Sequence, residues 1–412
     1  MNPRKIAFPA ISSTLVFLLG LTAPISAQDS NFDGGGIDSN WNTAANWDPD
    51  GVPANAGAGI VRVGSGGNSF TADITANVPT FFDLHVGRGA SGIANGTVNH
   101  TAGSVTASNW ALVGIDGDAS GVSTGTYNIS GSSTFGVGGV LSLGAGGGNG
   151  NSTGIMNVSG SAGVSANAIV VAQNDGNTGQ MNISGGTVSS NNWMTVGETS
   201  GANGTLTMTG GSLNIPGDLS VGQQEGATGT MNVSGASIVD AGYLRIGRHF
   251  GSGGGATGNL NIEGSGATIM ATNFDAGGES AAAADTTGNL SYTADAGGVT
   301  SIVTGTTFLN DGSTLGTSSL VVDLTAWGQF SAIGTGTDAE EIILIDSAAA
   351  VVGEFDGLAE GASVPIGGGQ FGIISYVGGS GTDVTLTVLI PEPSVALLSA
   401  LGIFGFVTRR RR

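Results

Sequence analysis

The chain has 412 residues, of which 77 are Gly and none is Cys, and its formal net charge is −20. The glycines lack the every-third-residue period of collagen, the missing thiols exclude disulfides and thiolate metal sites, and 39% apolar residues argue against a disordered chain. Between Gln28 and Ile390 only Arg62, Arg88, Arg245 and Arg248 oppose all the acidic residues except Glu392, a charge balance that repels phosphate backbones and excludes nucleic acid as a partner.

Residues 1–27 open with MNPRK, pass through the apolar IAFPAISSTLVFLLGLTA and reach PISA. A basic start, an apolar core and a small residue at Ala27 predict a secretory signal peptide cut after Ala27, and therefore an exported protein; a retained anchor is the alternative. Residues 28–95 are expected to form an N-terminal cap and irregular coils. Within them NWNTAANWDPDGVP carries Trp41 and Trp47, expected as a lid, with a carbohydrate-binding aromatic face as the other reading. IVRVG and FFDLHVG have the alternation of strands.

A phrase then recurs: TGTYNISG, TGIMNVSG, TGQMNISG, TGTMNVSG. Its glycine falls at Gly96, Gly125, Gly154, Gly179, Gly204, Gly229, Gly258 and Gly288, a step of roughly 25 to 30 residues that marks a repeat architecture. The longer steps coincide with patches such as GAGGGNGNS and GRHFGSGGGA, where insertions cost little. One clean unit, GTLTMTGGSLNIPGDLSVGQQEGATG, holds the alternating pieces TLTMT, SLNI and DLSVG, separated by Gly or Pro-Gly. Alternation at period two means strand, and pieces this short are stable only when stacked. Residues 96–299 are therefore predicted to be all-β: a parallel β-helix (β-solenoid) of about eight coils, each rising about 4.8 Å.

The columns agree with that reading. Tyr127 and Ile129, Met156 and Val158, Met181 and Ile183, Leu206 and Met208, Met231 and Val233, and Leu260 and Ile262 should face inward. Asn128, Asn157, Asn182, Thr207, Asn232 and Asn261 should face out between them; the N-x-Ser matches follow from that column and are weak signs of glycosylation. On the third strand Val113, Leu143, Val196, Val221 and Ile246 are each followed by Gly, expected at corners that need positive φ or close backbone approach.

Few residues stand out as chemistry. Trp110, Trp193 and Tyr243 occupy equivalent outward third-strand positions and are candidate glycan contacts, against ordinary stacking beneath long turns. YLRIGRHF offers Arg245, Arg248 and His249 as candidate contacts for an anionic sugar, against a solvated loop. Asp116 and Asp118 give too few oxygens for a Ca²⁺ site, and His85 and His100 have no partner set, so neither a metal site nor a cofactor is expected. A glycosidase would need two opposed carboxyls about 5 to 9.5 Å apart, and no acidic residue recurs on the strand faces. No Walker loop, GxSxG, HExxH or calcium nonapeptide occurs.

Residues 300–389, with EEIILIDSAA, FGIISYVGG and TDVTLTVLI, are expected to form a β-rich cap over the last coil. The run GGSGTDVTLTVLIPEPS resembles the end of exported autotransporter-like proteins with passenger-associated strand repeats, which supports a solenoid. Residues 390–412 combine IPEPS, the apolar VALLSALGIFGFV and RRRR. That apolar run is shorter than the roughly 17 to 25 residues of a relaxed transmembrane helix. The tail resembles the PEP-CTERM sorting domain through Pro391, Glu392 and Pro393, the apolar stretch, and Arg409, Arg410, Arg411 and Arg412. The resemblance covers only the tail. It implies processing by an exosortase-type membrane enzyme, transient membrane association, and a host that makes exopolysaccharide or biofilm matrix. The expectation is an exported, non-enzymatic structural protein of the cell envelope, cell surface or extracellular matrix, with exopolysaccharide as its candidate ligand. A β-helix polysaccharide lyase or glycoside hydrolase is the alternative.

Overall fold

The computed structural model describes residues 28–390 apart from 55–58, 90–91, 118–120, 147–150, 175, 200, 225, 249–254, 278–285, 311–315 and 331–337. The signal peptide, the sorting motif (Pro391, Glu392, Pro393 and Arg409 to Arg412), Asp118 and His249 lie outside the described residues.

Alternation drives the architecture. The strand Thr178–Ile183 buries Met181 and Ile183, and the strand Thr187–Val196 bends to bury Val188, then Met194 and Val196. In the next two coils a single bent strand supplies every face: Asn203–Val221 and Thr228–Ile246. They pair in parallel, with register breaks between Met208 and Gly210 and between Ile215 and Asp218. The three pieces expected from the sequence are thus three faces of one coil, with corners made by bulges rather than by chain reversals. Stacking these units gives an all-β parallel β-solenoid of about 9 turns.

The inward columns form one continuous core. Tyr127, Met156, Met181, Leu206, Met231 and Leu260 are aligned in register along the first face and are all fully buried. The parallel ladder already joins Ser69–Ile74 to Asn95–His100, and it runs on past residue 299 through Ile302–Leu309 and Thr317–Asp323. After the coils an antiparallel unit follows: Asp338–Ser347 pairs with Asp383–Ile390, which in turn pairs with Phe371–Gly378. The first of these strands also pairs in parallel with the coil strand Ile302–Leu309, which fastens the antiparallel unit to the rod.

At the opposite end Trp41 and Trp47 are fully buried, with ring centroids 4.7 Å apart, and the Trp47 indole N–H donates to the Trp41 carbonyl at 2.7 Å. They plug the core, so the alternative of an exposed carbohydrate-binding face at these two residues is not met. His100 is a satisfied core histidine, bonded to the Tyr127 hydroxyl at 3.1 Å and the Gly103 carbonyl at 3.0 Å.

The shared glycine has a steric cause. Gly204 faces inward on the first strand, and a β-carbon there would overlap the Val171 carbonyl oxygen and the Gly197 amide nitrogen. Gly197 is the corner glycine that follows Val196; its φ is +73°, and a β-carbon on it would overlap the Thr228 carbonyl of the next coil. The two columns press backbone against backbone, one closing each coil and one opening the next. Ala172 departs from the pattern: it holds the corner conformation at φ 68° with a side chain present, at a cost of about 1–2 kcal/mol.

Outside, the Asn column is bonded to itself. Asn99 donates to Asp73 at 2.9 Å, Asn128 to Asn99 at 2.9 Å, Asn157 to Asn128 at 2.7 Å and Asn182 to Asn157 at 2.8 Å. Beyond Thr207 the row resumes, with Asn232 donating to its hydroxyl at 3.5 Å and Asn261 to Asn232 at 2.8 Å.

Two outcomes are expected. Gly204→Ala should destabilise the rod by about 3 kcal/mol through forced backbone shifts. Gly201→Ala, at φ +75° but with open space around it, should cost only about 1 kcal/mol; urea unfolding midpoints compare the two. His85 is buried, and burial first, then Arg88 and Arg62, push its pKa down to about 3. Below the ordinary value of 6.5 the unfolded chain gains a proton that the folded one refuses, so stability should fall between pH 6.5 and about pH 3. His85→Gln should flatten that part of the profile relative to the parent.

Candidate functional site

The third face carries the outward residues that the sequence singles out. Alternation turns Leu219 and Val221 inward and leaves Asp218 and Ser220 on the outer side. The same parity holds for Trp193 and Thr195 one coil earlier and for Tyr243 and Arg245 one coil later. Trp193, Asp218 and Tyr243 therefore form one row on successive coils, which places the two rings about 10 Å apart along the rod. Trp110 belongs to the same row, three coils before Trp193. Trp110 is 49% exposed and Tyr243 39%, while Trp193 is half-buried.

A wall rises beside this row. The corner glycines Gly197 and Gly222 turn the chain outward, and the residues after them keep the ladder going: Glu198 N–H donates to the Ala172 carbonyl at 3.0 Å, and Gln223 N–H to the Gly197 carbonyl at 2.9 Å. The second outward row, Thr195, Ser220 and Arg245, is thereby buried. Between wall and aromatic row lies a cleft of about 530 Å³, lined among others by Trp193, Thr195, Glu198, Asp218, Gln223 and Arg248.

Its electrostatics centre on Asp218. Arg245 has outward parity, yet its side chain is only 7% exposed and that of Arg248 only 12%. Both guanidiniums pair with the same Asp218 oxygen, at 3.2 Å and 3.1 Å. The Arg245 guanidinium also lies 4.4 Å from the centre of the Tyr243 ring, and Arg248 donates to the Ser220 hydroxyl at 3.4 Å. The two arginines of YLRIGRHF are thus drawn down onto a carboxylate. Asp218, which interrupts the aromatic row, is a shared partner that helps make burial of two arginines tolerable.

The sequence reading did not pick out Glu198 or Gln223 either. Burial pushes the Glu198 carboxyl above its ordinary range, partly offset by a hydrogen bond from the Gln173 side chain. Thr195 donates to the Gln223 side-chain carbonyl at 3.0 Å and fixes that amide against the floor of the cleft. The available signal was positional: each stands directly after a corner glycine, as Arg248 does after Gly247. Arg88 similarly pairs with Asp116 at 3.2 Å, and among the described residues no group of three or more His, Asp or Glu could hold a metal ion.

Asp218→Ala should cost about 3 kcal/mol, because it removes the carboxylate that two buried guanidiniums share. Adding Arg245→Met should restore much of the loss, and a double-mutant cycle on the urea midpoint measures the coupling.

No family model, curated protein or solved structure matches this chain.

Proposed function

We propose that this β-solenoid is an exported, acidic, non-enzymatic structural protein, trimmed at its C-terminal tail by an exosortase-type enzyme and delivered to the cell envelope, cell surface or extracellular matrix. There it acts as a stiff spacer whose third-face aromatic row contacts exopolysaccharide. The coarser statement stands on the fold itself: the chain is a repeat scaffold consistent with extracellular structural repeat proteins. The observation that carries the finer reading is uniformity. One coil, one core and one outer ladder recur along the rod, and the aromatic residues, though absent from the intervening coils, fall on a single row of it.

A polysaccharide-cleaving β-helix is the second reading. Glu198, with its carboxyl raised by burial, and Asp218 share one cleft with Trp193, which is the observation in its favour. The engagement of Asp218 by two arginines weighs against it, since that carboxylate is already neutralised.

Co-sedimentation of the mature protein with its host's exopolysaccharide, with polymer length recorded before and after, separates the readings. The expected outcome is saturable pelleting with polymer length unchanged. Shortened polymer, abolished by Glu198→Gln, would replace the structural reading with the enzymatic one.

A further inference from the structure

The cleft beside Trp193 has a chemistry more specific than contact with a polymer. We propose that it is a subsite for a neutral, hydroxyl-rich sugar residue within a glycan chain, selective against uronic acid residues. This inference rests on the reading that the third face meets polysaccharide.

Three features lead to it. First, the volume of about 530 Å³ lies inside the roughly 300–1,000 Å³ range of small-molecule sites. The half-buried Trp193 gives that space an aromatic wall of the kind on which the apolar face of a sugar ring packs. Second, the polar groups are held in place. The Gln223 amide is pinned by Thr195, and Asn192, at the rim, donates its side-chain amide to Asn167 at 2.7 Å. Fixed amides suit a ring of hydroxyls, each of which both donates and accepts. Third, the charge is wrong for an anion. Arg248, which lines the cleft, and Arg245 both pair with Asp218, and Glu198 adds a carboxyl to the lining. Among the described lining residues a sugar carboxylate would meet two carboxyls, Glu198 and Asp218, in a partly desolvated space, against one guanidinium, Arg248, already paired with Asp218. The surrounding chain, at net charge −20, adds a repulsive field of the same sign.

The geometry also gives the bound chain a direction. Tyr243 lies in the same row, about 10 Å farther along the rod, so a glycan seated at Trp193 can continue parallel to the solenoid axis onto the next ring.

The test uses the full protein and two defined probes of equal length, a neutral β-glucan hexasaccharide and a hexagalacturonate, titrated calorimetrically and by tryptophan fluorescence at low and at moderate salt. The neutral probe should bind at least ten-fold more tightly at both salt concentrations. Trp193→Ala should weaken it ten-fold or more, and Gln223→Ala should weaken it several-fold with an unchanged urea midpoint, which guards against a misfolded Trp193 variant. Glu198→Gln should narrow the gap between the probes by admitting the uronate. Equal or tighter uronate binding would overturn the proposal, as would neutral-probe binding that survives both Trp193→Ala and Gln223→Ala. If the native exopolysaccharide still pelleted with the protein in either case, only the subsite assignment would fail. Loss of all binding, by polymer and probes alike, would remove the matrix reading with it.

Discussion

The whole rod depends on one close approach. Where a coil ends and the next begins, the inward glycine of the first strand lies against the corner of the third, so near that a β-carbon on either would enter the other's backbone. This pinch narrows one vertex of the coil and lets the remaining interior be filled by one pair of apolar side chains per face. Methionine, leucine, valine, isoleucine and tyrosine exchange freely in those columns because each buries its apolar area against neighbours above and below. The glycines exchange far less: Ala172 stands at one corner and Ser318 in the first-strand column, but a β-carbon at Gly197 or Gly204 would overlap backbone. Sequence conservation between coils thus follows contact distance more than hydrophobicity.

The same vertex creates the surface relief of the third face. A corner at positive φ throws the following residue outward, and Glu198 and Gln223 carry the ladder on beyond the face. What would be an open strand surface becomes a cleft with a floor, a wall and an aromatic rim. Buried charge can be tolerated there only through pairing, and the Asp218 bridge to two arginines supplies it across successive coils. The polar first face resolves its outer side chains by bonding them to one another.

Much of this was legible in the chain. Alternation at period two and a recurring glycine are local patterns, and they identify the inward columns, the corners and the stacking without further information. The third-face row of Trp110, Trp193 and Tyr243 was equally readable by counting back from the corner. Burial on that face was not. Parity places Arg245 outside, but whether outside means solvent depends on where the loops lie, and their course is set by contacts roughly one coil away in sequence. The role of Asp218 is not legible locally, because its partners sit 27 and 30 residues downstream. The fate of Trp41 and Trp47 was similarly non-local, since only the end of a core distinguishes a plug from a platform.

The amide row along the first face has a polarity. From Asn182 back to Asn99 each side chain donates toward the preceding coil, and the row ends on the Asp73 carboxylate, which also accepts from the Ser39 hydroxyl of the N-terminal segment. The aligned dipoles place their positive end against a fixed negative charge, as an anion does at the start of a helix. Because every link faces the same way, a coil duplicated within the row would find an acceptor on one side and a donor on the other, with the carboxylate terminus undisturbed. The length of the rod can therefore vary through gene duplication without redesign of its end.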